Sequence, residues 1–199
     1  MSVFVKICGL RDADTVAAAV DAGADAIGFV FAESVRKVTV EEACAAAESI
    51  PEHVQRIAVM KNPSAQEWQD ILDGFKPDAM QTDITDIADL EVPPGVAFWP
   101  VYREGGRVPA LEMPYTFIYE GAASGVGETV DWNRAAKISK QGRMILAGGL
   151  DAANVGEAIR VVQPWGVDVS SGVESQPGKK DVNRIREFIS AVRVAEKEA

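Results

Sequence analysis

The sequence predicts a single-domain α/β protein of the (β/α)8, or TIM barrel, class, and three observations support this prediction. Short runs of β-branched and aromatic residues alternate along the 199 residues with alanine-rich, charged segments of helical period. The alternation gives eight strands, which is the number at which a parallel barrel closes. Cys8-Gly9-Leu10 follows the first strand in place of a glycine-rich dinucleotide fingerprint, which disfavours the alternative, an open doubly wound sheet.

The eight predicted strands are short apolar runs bounded by glycine, proline or polar residues. β-Branched and aromatic side chains, which favour extended backbone, are common in them. In chain order the strands are Val3–Ile7, Ala26–Phe31, Arg56–Met60, Asp78–Gln81, Val96–Val101, Pro114–Tyr119, Arg143–Ala147 and Val167–Val169.

The predicted helices combine apolar residues at helical spacing with recognisable end signals. Gly23 ends the first helix, Ser64 with Glu67 three residues on indicates a capped start, and Asp131 caps the helix that follows it. In chain order the helices are Asp12–Ala22, Val40–Ser49, Ser64–Gly74, the short and weak Ile84–Leu90, Trp132–Lys140, Ala152–Val162 and Asp181–Ala195.

The segment Arg103–Met113, between the fifth and sixth strands, has no helical pattern. It contains Gly105, Gly106 and Pro109, so we expect the fifth helix of the barrel to be degenerate. A pitch of about 25 residues per strand–helix unit is tight for a fold that usually needs about 250 residues. No linker interrupts the alternation, and we expect residues 1–199 to form one barrel domain.

Composition and charge restrict the partners of the chain. Thirty acidic residues against 20 basic ones give a formal charge of −10, with the basic residues scattered, so we expect no nucleic-acid or membrane binding. A single histidine, His53, and the absence of any metal-ligand spacing predict that no metal is bound. Two cysteines, Cys8 and Cys44, form no disulfide framework, and the first residues do not resemble a signal peptide. We therefore expect a cytoplasmic location.

The loops after strands 7 and 8 are the places where barrels commonly bind phosphate. These loops carry Gly148-Gly149 and Ser170-Ser171-Gly172. Glycine lets backbone N–H groups approach an anion closely. We therefore expect Gly148, Gly149, Ser170, Ser171 and Gly172 to bind a phosphate, although two ordinary tight turns would have a similar composition.

Three further strand ends carry side chains with possible chemical roles. Cys8 lies on the same side of its strand as Lys6, whose charge favours a thiolate, but a lone cysteine is also a common core residue. Glu120 is either a general acid whose pKa is raised by burial or a loop carboxylate in water. Arg36 is either a bidentate clamp for a substrate carboxylate or a surface charge. The residues alone leave both interpretations open at each position.

An ordered series of motifs runs from Val5 to about Phe188. They are Lys6-Ile7-Cys8-Gly9, Gly23-Ala24-Asp25, Gly28-Phe29-Val30-Phe31, Ser34 with Arg36, Gly125 and Gly127 before Asp131-Trp132, Ala147-Gly148-Gly149-Leu150, and Val167–Glu174 before Pro177–Asp181. Each motif is weak alone, but the ordered set resembles the phosphoribosylanthranilate isomerases, a family of (β/α)8 enzymes of tryptophan biosynthesis.

The resemblance implies an aldose–ketose isomerase that needs no metal or cofactor. Its reaction is the Amadori rearrangement of N-(5′-phosphoribosyl)anthranilate to 1-(o-carboxyphenylamino)-1-deoxyribulose 5-phosphate. The resemblance further implies that Cys8 is the general base and that Arg36 binds the anthranilate carboxylate. It also implies that Gly125, Gly127 and Asp168 contact the substrate. The expected partner is therefore a small phosphorylated molecule, and we expect a monomer rather than a homodimer.

Three positions depart from the family pattern. The family's general acid is an aspartate at the end of strand 6, where this chain has Glu120. Asp83 stands in place of a histidine after strand 4, and Arg11 in place of a common threonine. We expect Glu120 to be the acid, with Asp83 as its rival. Two other functions stay open: a related sugar-phosphate isomerase, against which Cys8 argues, and a non-catalytic barrel that binds a phosphorylated ligand.

Overall fold

Eight parallel strands close into a barrel in the computed structural model, which describes residues 2–87, 90–106, 116–122 and 129–198. The strands are β1 (Phe4–Cys8), β2 (Ala26–Val30), β3 (Gln55–Val59), β4 (Ala79–Asp83), β5 (Ala97–Arg103), β6 (Thr116–Glu120), β7 (Arg143–Leu146) and β8 (Gly166–Val169). Each strand pairs with the next along the chain, and β8 pairs with β1 to close the ring. The predicted fold class is confirmed.

Helices lie between most of the strands, and the first four begin at residues whose side chains cap them. They are α1 (Ala13–Ala22), α2 (Val40–Ala47), α3 (Ala65–Phe75), α4 (Trp132–Ile138), α5 (Val155–Val162) and α6 (Val182–Glu198). Ser64 and Glu67 form a reciprocal capping box at α3, and the Asp131 carboxylate accepts hydrogen bonds from the first backbone N–H groups of α4. Gly23 ends α1 in the left-handed conformation, with φ of 97°. All three end signals are confirmed.

The helix predicted at Ile84–Leu90 is wrong: the described residues of this range form a 3-10 turn, Ile84–Asp86, and residues 88 and 89 lie outside the described residues. The Asp86 carboxylate accepts hydrogen bonds from the Asn62 backbone N–H at 2.8 Å and the Thr82 hydroxyl at 2.9 Å. The bond to Asn62 ties the turn to the neighbouring loop after β3, and the bond to Thr82 ties it to β4. The region expected to lack a fifth helix falls largely on residues 107–115, which lie outside the described residues.

A short hairpin follows β8 and was not predicted. It consists of β9 (Glu174–Gln176) and β10 (Lys179–Lys180), which pair in antiparallel fashion. Gly178 in its turn has φ of 79°, and a Cβ atom there would lie 2.7 Å from the carbonyl oxygen of Val35. Only glycine therefore allows this close contact with the loop after β2. The contact places Glu174 and Lys180 beside that loop.

The barrel interior is apolar except toward its carboxyl end. Its central side chains are Ala26, Ile57, Ala79, Trp99, Val101, Ile118, Ile145 and Ala147. The Phe4 ring stacks on Trp165 with 4.5 Å between ring centroids and packs edge-on against Trp99 with 5.9 Å between centroids. These three rings fill the amino end of the barrel. A larger apolar layer lies between strands and helices. Within the described ranges, no helix is long and apolar enough to cross a membrane.

Candidate active site

A cavity of about 220 Å³ lies at the carboxyl end of the barrel and receives residues from all eight strands or the loops that follow them. This is the face at which barrel enzymes place their chemistry. Four of the predicted site side chains line the cavity: Cys8, Arg36, Glu120 and Asp168. Gly148, Gly149, Ser170 and Ser171 line it as well. Gly125 and Gly127 lie outside the described residues.

Cys8 ends β1 beside a buried ion pair. The Lys6 ammonium, two residues earlier on the same face, lies 2.9 Å from a carboxylate oxygen of Asp168 on β8. Burial raises the pKa of the Cys8 thiol, and the nearby Lys6 charge offsets this increase only in part. A Cβ atom at Gly28 would come within 3.0 Å of the Cys8 sulfur and 3.2 Å of the Lys6 nitrogen. The absence of a side chain at Gly28 on β2 therefore leaves space for the Cys8 thiol and the Lys6 ammonium to lie side by side.

Only one of the two carboxylate oxygens of Asp168 takes part in this ion pair. Its Oδ2 atom binds Lys6, whereas Oδ1 is buried and accepts no hydrogen bond from any residue that the structure describes. A buried polar atom without a partner is rare in folded proteins. The side chain lines the cavity, so a ligand hydroxyl is a suitable donor to Oδ1.

Glu120 ends β6 and is held by an arginine on the adjacent strand. The Nη1 atom of Arg103 donates to Glu120 at 2.7 Å, while Nε and Nη2 donate to the two oxygens of Asp83 at 2.5 and 2.9 Å. Burial raises the pKa of the Glu120 carboxyl, and the Arg103 charge opposes this increase without cancelling it. Glu120 is thus more easily protonated than an ordinary glutamate.

Arg36 is fixed in place by a carboxylate behind it. Its Nε and Nη2 atoms donate to the two oxygens of Glu174 at 2.7 and 2.9 Å, and Lys180 donates to the same carboxylate at 2.8 Å. Although burial opposes it, hydrogen bonding to Arg36 and Lys180 lowers the pKa of Glu174 to about 2. The remaining Nη1 group donates to no residue in the described part of the chain, and Arg36 lines the cavity.

Glycine at position 9 makes room for Arg36. Gly9 has φ of 76°, and a Cβ atom there would lie 2.7 Å from the Cδ atom of Arg36. The position therefore requires glycine both for its left-handed backbone and for the arginine that packs over it.

The loops after β7 and β8 touch each other through glycine. A Cβ atom at Gly172 would lie 2.0 Å from the carbonyl oxygen of Leu150, so only glycine permits this approach. Gly148 and Gly149 both have positive φ, at 95° and 61°. The backbone N–H groups of Gly148, Gly149, Ser171 and Gly172 make no hydrogen bond with other described residues. Such a group of unpaired N–H donors is what an anion requires.

Three site residues received no role from the sequence. Arg103 stands at the end of β5, and this position was the only signal that it belongs to the site. Glu174 and Lys180 belong to a motif of the resemblance, but their contact with Arg36 depends on the unpredicted hairpin. Asp83, the expected rival to Glu120, lines the same cavity.

Comparison with known proteins gives one consistent family. Residues 5–191 match the family described as N-(5'phosphoribosyl)anthranilate (PRA) isomerase. The N-(5'-phosphoribosyl)anthranilate isomerase of Listeria monocytogenes serotype 4a is 40% identical over 211 residues, covering 98% of this chain and all of the relative. That of Streptococcus pneumoniae (strain Taiwan19F-14) is 40% identical over 191 residues, covering 95% of each chain.

Solved structures of similar proteins have the same fold. TrpF from Jonesia denitrificans superposes with a TM-score of 0.82 at 28% identity, covering 98% of both chains. Phosphoribosyl anthranilate isomerase from Thermotoga maritima superposes with a TM-score of 0.80 at 29% identity, covering 96% of this chain and 99% of its own. A further structure, with a TM-score of 0.78, 28% identity and the same coverage, holds reduced 1-(o-carboxyphenylamino)-1-deoxyribulose 5-phosphate.

Proposed function

The chain belongs to the N-(5′-phosphoribosyl)anthranilate isomerase family, and from this membership we propose how its own residues perform the reaction. The activity is the isomerisation of N-(5′-phosphoribosyl)anthranilate to 1-(o-carboxyphenylamino)-1-deoxyribulose 5-phosphate in tryptophan biosynthesis. In this proposal Glu120 is the general acid and Cys8 is the general base. Arg36 binds the anthranilate carboxylate, and the loops after β7 and β8 bind the phosphate.

Before its final tautomerisation, the reaction needs a proton delivered to the ring oxygen and a proton removed from C2′. Glu120 protonates the ring oxygen of the ribose, and the bond from that oxygen to C1′ breaks to leave a protonated imine, an iminium ion, at C1′. Cys8, as the thiolate, takes the proton from C2′ and gives an enolamine. The enolamine tautomerises to the ketone by gaining a proton at C1′ and losing the proton of its C2′ hydroxyl, so the product is an isomer of the substrate. Each step uses a group placed at the ribose rather than at the ends of the substrate.

The placement of the two groups is the observation that carries the proposal. Cys8 on β1 and Glu120 on β6 line one cavity from different walls, so a ribose between them meets an acid and a base. Burial raises the pKa of Glu120, which favours the protonated form that an acid needs. Burial raises the pKa of Cys8, and the Lys6 charge beside it offsets part of that increase in favour of the thiolate that a base needs.

The binding groups fix the ribose by holding both ends of the substrate. We assign the phosphate to the N–H groups of Gly148, Gly149, Ser171 and Gly172, together with Ser170. Arg36 offers its Nη1 group to the anthranilate carboxylate, since Glu174 occupies the other side of the guanidinium.

Three more residues complete the proposed substrate contacts. Asp168 offers Oδ1, its buried oxygen without a protein partner, to a substrate hydroxyl. Gly125 and Gly127 remain proposed substrate contacts on the strength of the resemblance, since they precede Asp131-Trp132 as the family pattern requires.

Asp83 is the less suitable acid. Both of its oxygens accept hydrogen bonds from Arg103, so a proton placed on either oxygen would compete with one of these bonds. Glu120 accepts only one hydrogen bond from that arginine. The geometry therefore favours Glu120 over Asp83 as the proton donor.

Substitution of the two catalytic groups tests the assignment. Cys8→Ala and Glu120→Gln should each lower kcat by about 10²–10⁴-fold, the usual contribution of a positioned acid or base. The measurement is loss of substrate fluorescence under saturating conditions. Cys44→Ala and Glu52→Gln are matched controls, because Cys44 and Glu52 are exposed and lie away from the cavity. Near-normal kcat in either catalytic variant would mean that another group performs that step.

We also propose that the chain is a cytoplasmic monomer. Both cysteines are free, as is usual for proteins of a reducing compartment. Among the described residues, the large apolar side chains with substantial exposure are Val35, Val161 and Val194, too few for the apolar patch of a stable dimer. Light scattering coupled to gel filtration should give the mass of one chain, 21.3 kDa, and a doubled mass would contradict this proposal.

A further inference from the structure

We infer that Arg103 is a positioning residue for Glu120, and that Asp83 is present to balance the charge of that arginine. The inference rests on the proposed role of Glu120 as the acid. The three side chains stand at the carboxyl ends of three successive strands, β4, β5 and β6. The three side chains are joined by hydrogen bonds, with the Arg103 guanidinium between the carboxyl groups of Asp83 and Glu120.

Strand register brings these groups together. Arg103 is directly opposite Glu120 in the β5–β6 pair, and Asp83 is opposite Val101, two residues before Arg103 on β5. Because side chains two apart share a face, Asp83 and Arg103 both point toward the cavity. Two parallel bonds to Asp83 fix the plane of the guanidinium, and the third bond, from Nη1, then fixes the carboxyl group of Glu120.

An arginine alone would be harmful at this position. A guanidinium that binds a carboxyl group stabilises its ionised form, whereas a general acid must hold its proton until the substrate needs it. Asp83 supplies a negative charge that offsets the charge of Arg103. Arg103 therefore orients Glu120 with a hydrogen bond while the pair adds little net charge beside it.

Three other charged groups of the described residues act on Glu120 or are acted on by it, and each of them is paired. They are Lys6 on β1, Asp168 on β8 and Arg36 in the loop after β2. Lys6 binds Asp168, and Arg36 binds Glu174. Burial accordingly remains the largest influence on the pKa of Glu120 and raises it. Removal of Asp83, by contrast, would leave Arg103 with Glu120 as its only ion-pair partner among the described residues.

The dependence of kcat/KM on pH in four variants tests this inference. In Asp83→Asn, Arg103 should hold Glu120 ionised, so kcat/KM at neutral pH should fall by about 10-fold or more, with the difference shrinking as the pH is lowered. In Arg103→Met, kcat should fall by about 10²-fold, because a misplaced acid loses about that much, while KM changes little. In the pH profile of Arg103→Met, the ionisation that we attribute to Glu120 should move to higher pH.

Two further variants separate positioning from general damage. Arg103→Lys keeps the charge but has no planar fork, and should recover only part of the lost kcat. The double variant Asp83→Asn with Arg103→Met carries no unpaired charge at this site. It should therefore fold normally, with low kcat and without the low-pH shift of Asp83→Asn. Arg56→Met is the matched control, because Arg56 binds Asp78 at the amino end of the barrel, and it should keep wild-type kinetics.

The outcomes distinguish this inference from the proposed function. If Glu120→Gln is inactive but the Asp83 and Arg103 variants have the wild-type pH profile, the inference about Arg103 is wrong and the acid assignment stands. If Glu120→Gln remains active, the acid assignment is wrong and the inference is overturned with it. An Asp83→Asn profile displaced toward lower pH, with a lowered kcat in Arg103→Met, supports both.

Discussion

Gly172→Ala should damage phosphate binding through a single added carbon. A Cβ atom at this position would lie 2.0 Å from the carbonyl oxygen of Leu150, whereas real Cβ atoms essentially never approach closer than 3.0 Å. The loops after β7 and β8 must therefore separate by about 1 Å, which is the displacement that commonly reduces a rate by about 10²-fold. We expect kcat/KM to fall by about that factor, mainly through KM, because the loops hold the phosphate rather than the ribose.

Steady-state fluorescence of the substrate gives kcat and KM. Competitive inhibition by inorganic phosphate measures directly how well the two loops bind phosphate. The inhibition constant of phosphate should rise with KM in Gly172→Ala. Overpacking should also lower stability by about 1–3 kcal/mol, which thermal unfolding would show without loss of the folded state. Gly156→Ala is the control, since a Cβ atom there makes only an ordinary contact of 3.8 Å with Ala195. Unchanged KM and phosphate inhibition in folded Gly172→Ala would refute the placement of the phosphate.

Two other predictions follow from the residues around Arg36. Arg36→Ala should weaken substrate binding by about 1.5–3 kcal/mol, seen in KM, because a charged hydrogen bond to the substrate carboxylate is lost; a large fall in kcat at constant KM would point to another role. Glu174 has its pKa lowered from 4.5 to about 2, so its contribution to stability is present above pH 4.5 and is lost as the pH falls toward 2. That contribution to the free energy of unfolding is about 3 kcal/mol. Denaturant unfolding at several pH values should show that Glu174→Gln loses less stability between pH 4.5 and 2 than the wild type does. Curves of unfolding free energy against pH that run parallel in the two proteins would contradict the assignment.

Local signals in the sequence were sufficient to predict most of the strands and helices of the barrel. Helix α3 begins where Ser64 and Glu67 cap it, and α4 begins after Asp131, because a capping side chain acts on backbone groups only two or three residues away. The predicted helix at Ile84–Leu90 was wrong for the complementary reason. Asp86 accepts a hydrogen bond from the Asn62 backbone N–H in the loop after β3, and such a contact with a neighbouring loop is not visible in local spacing.

The site was predictable only in part, because strand ends identify positions but not their partners. Cys8, Glu120 and Arg36 were expected near one another, since parallel strands bring their carboxyl ends to one face. The fixing of Arg36 by Glu174 spans 138 residues and depends on a hairpin whose strands are too short to give a pattern. The contact of Arg103 with Glu120 depends on strand register, which sequence spacing does not specify.

A crystal structure of this protein with reduced 1-(o-carboxyphenylamino)-1-deoxyribulose 5-phosphate would test the central claim most directly. We predict that the phosphate lies between Gly148-Gly149 and Ser171-Gly172, with the carboxylate on Arg36. The sugar carbons should then lie between the Cys8 sulfur and the Glu120 carboxyl group, each within hydrogen-bonding or contact distance. A ligand bound in the reverse direction, with its phosphate on Arg36, would contradict the account, as would a sugar that contacts neither Cys8 nor Glu120.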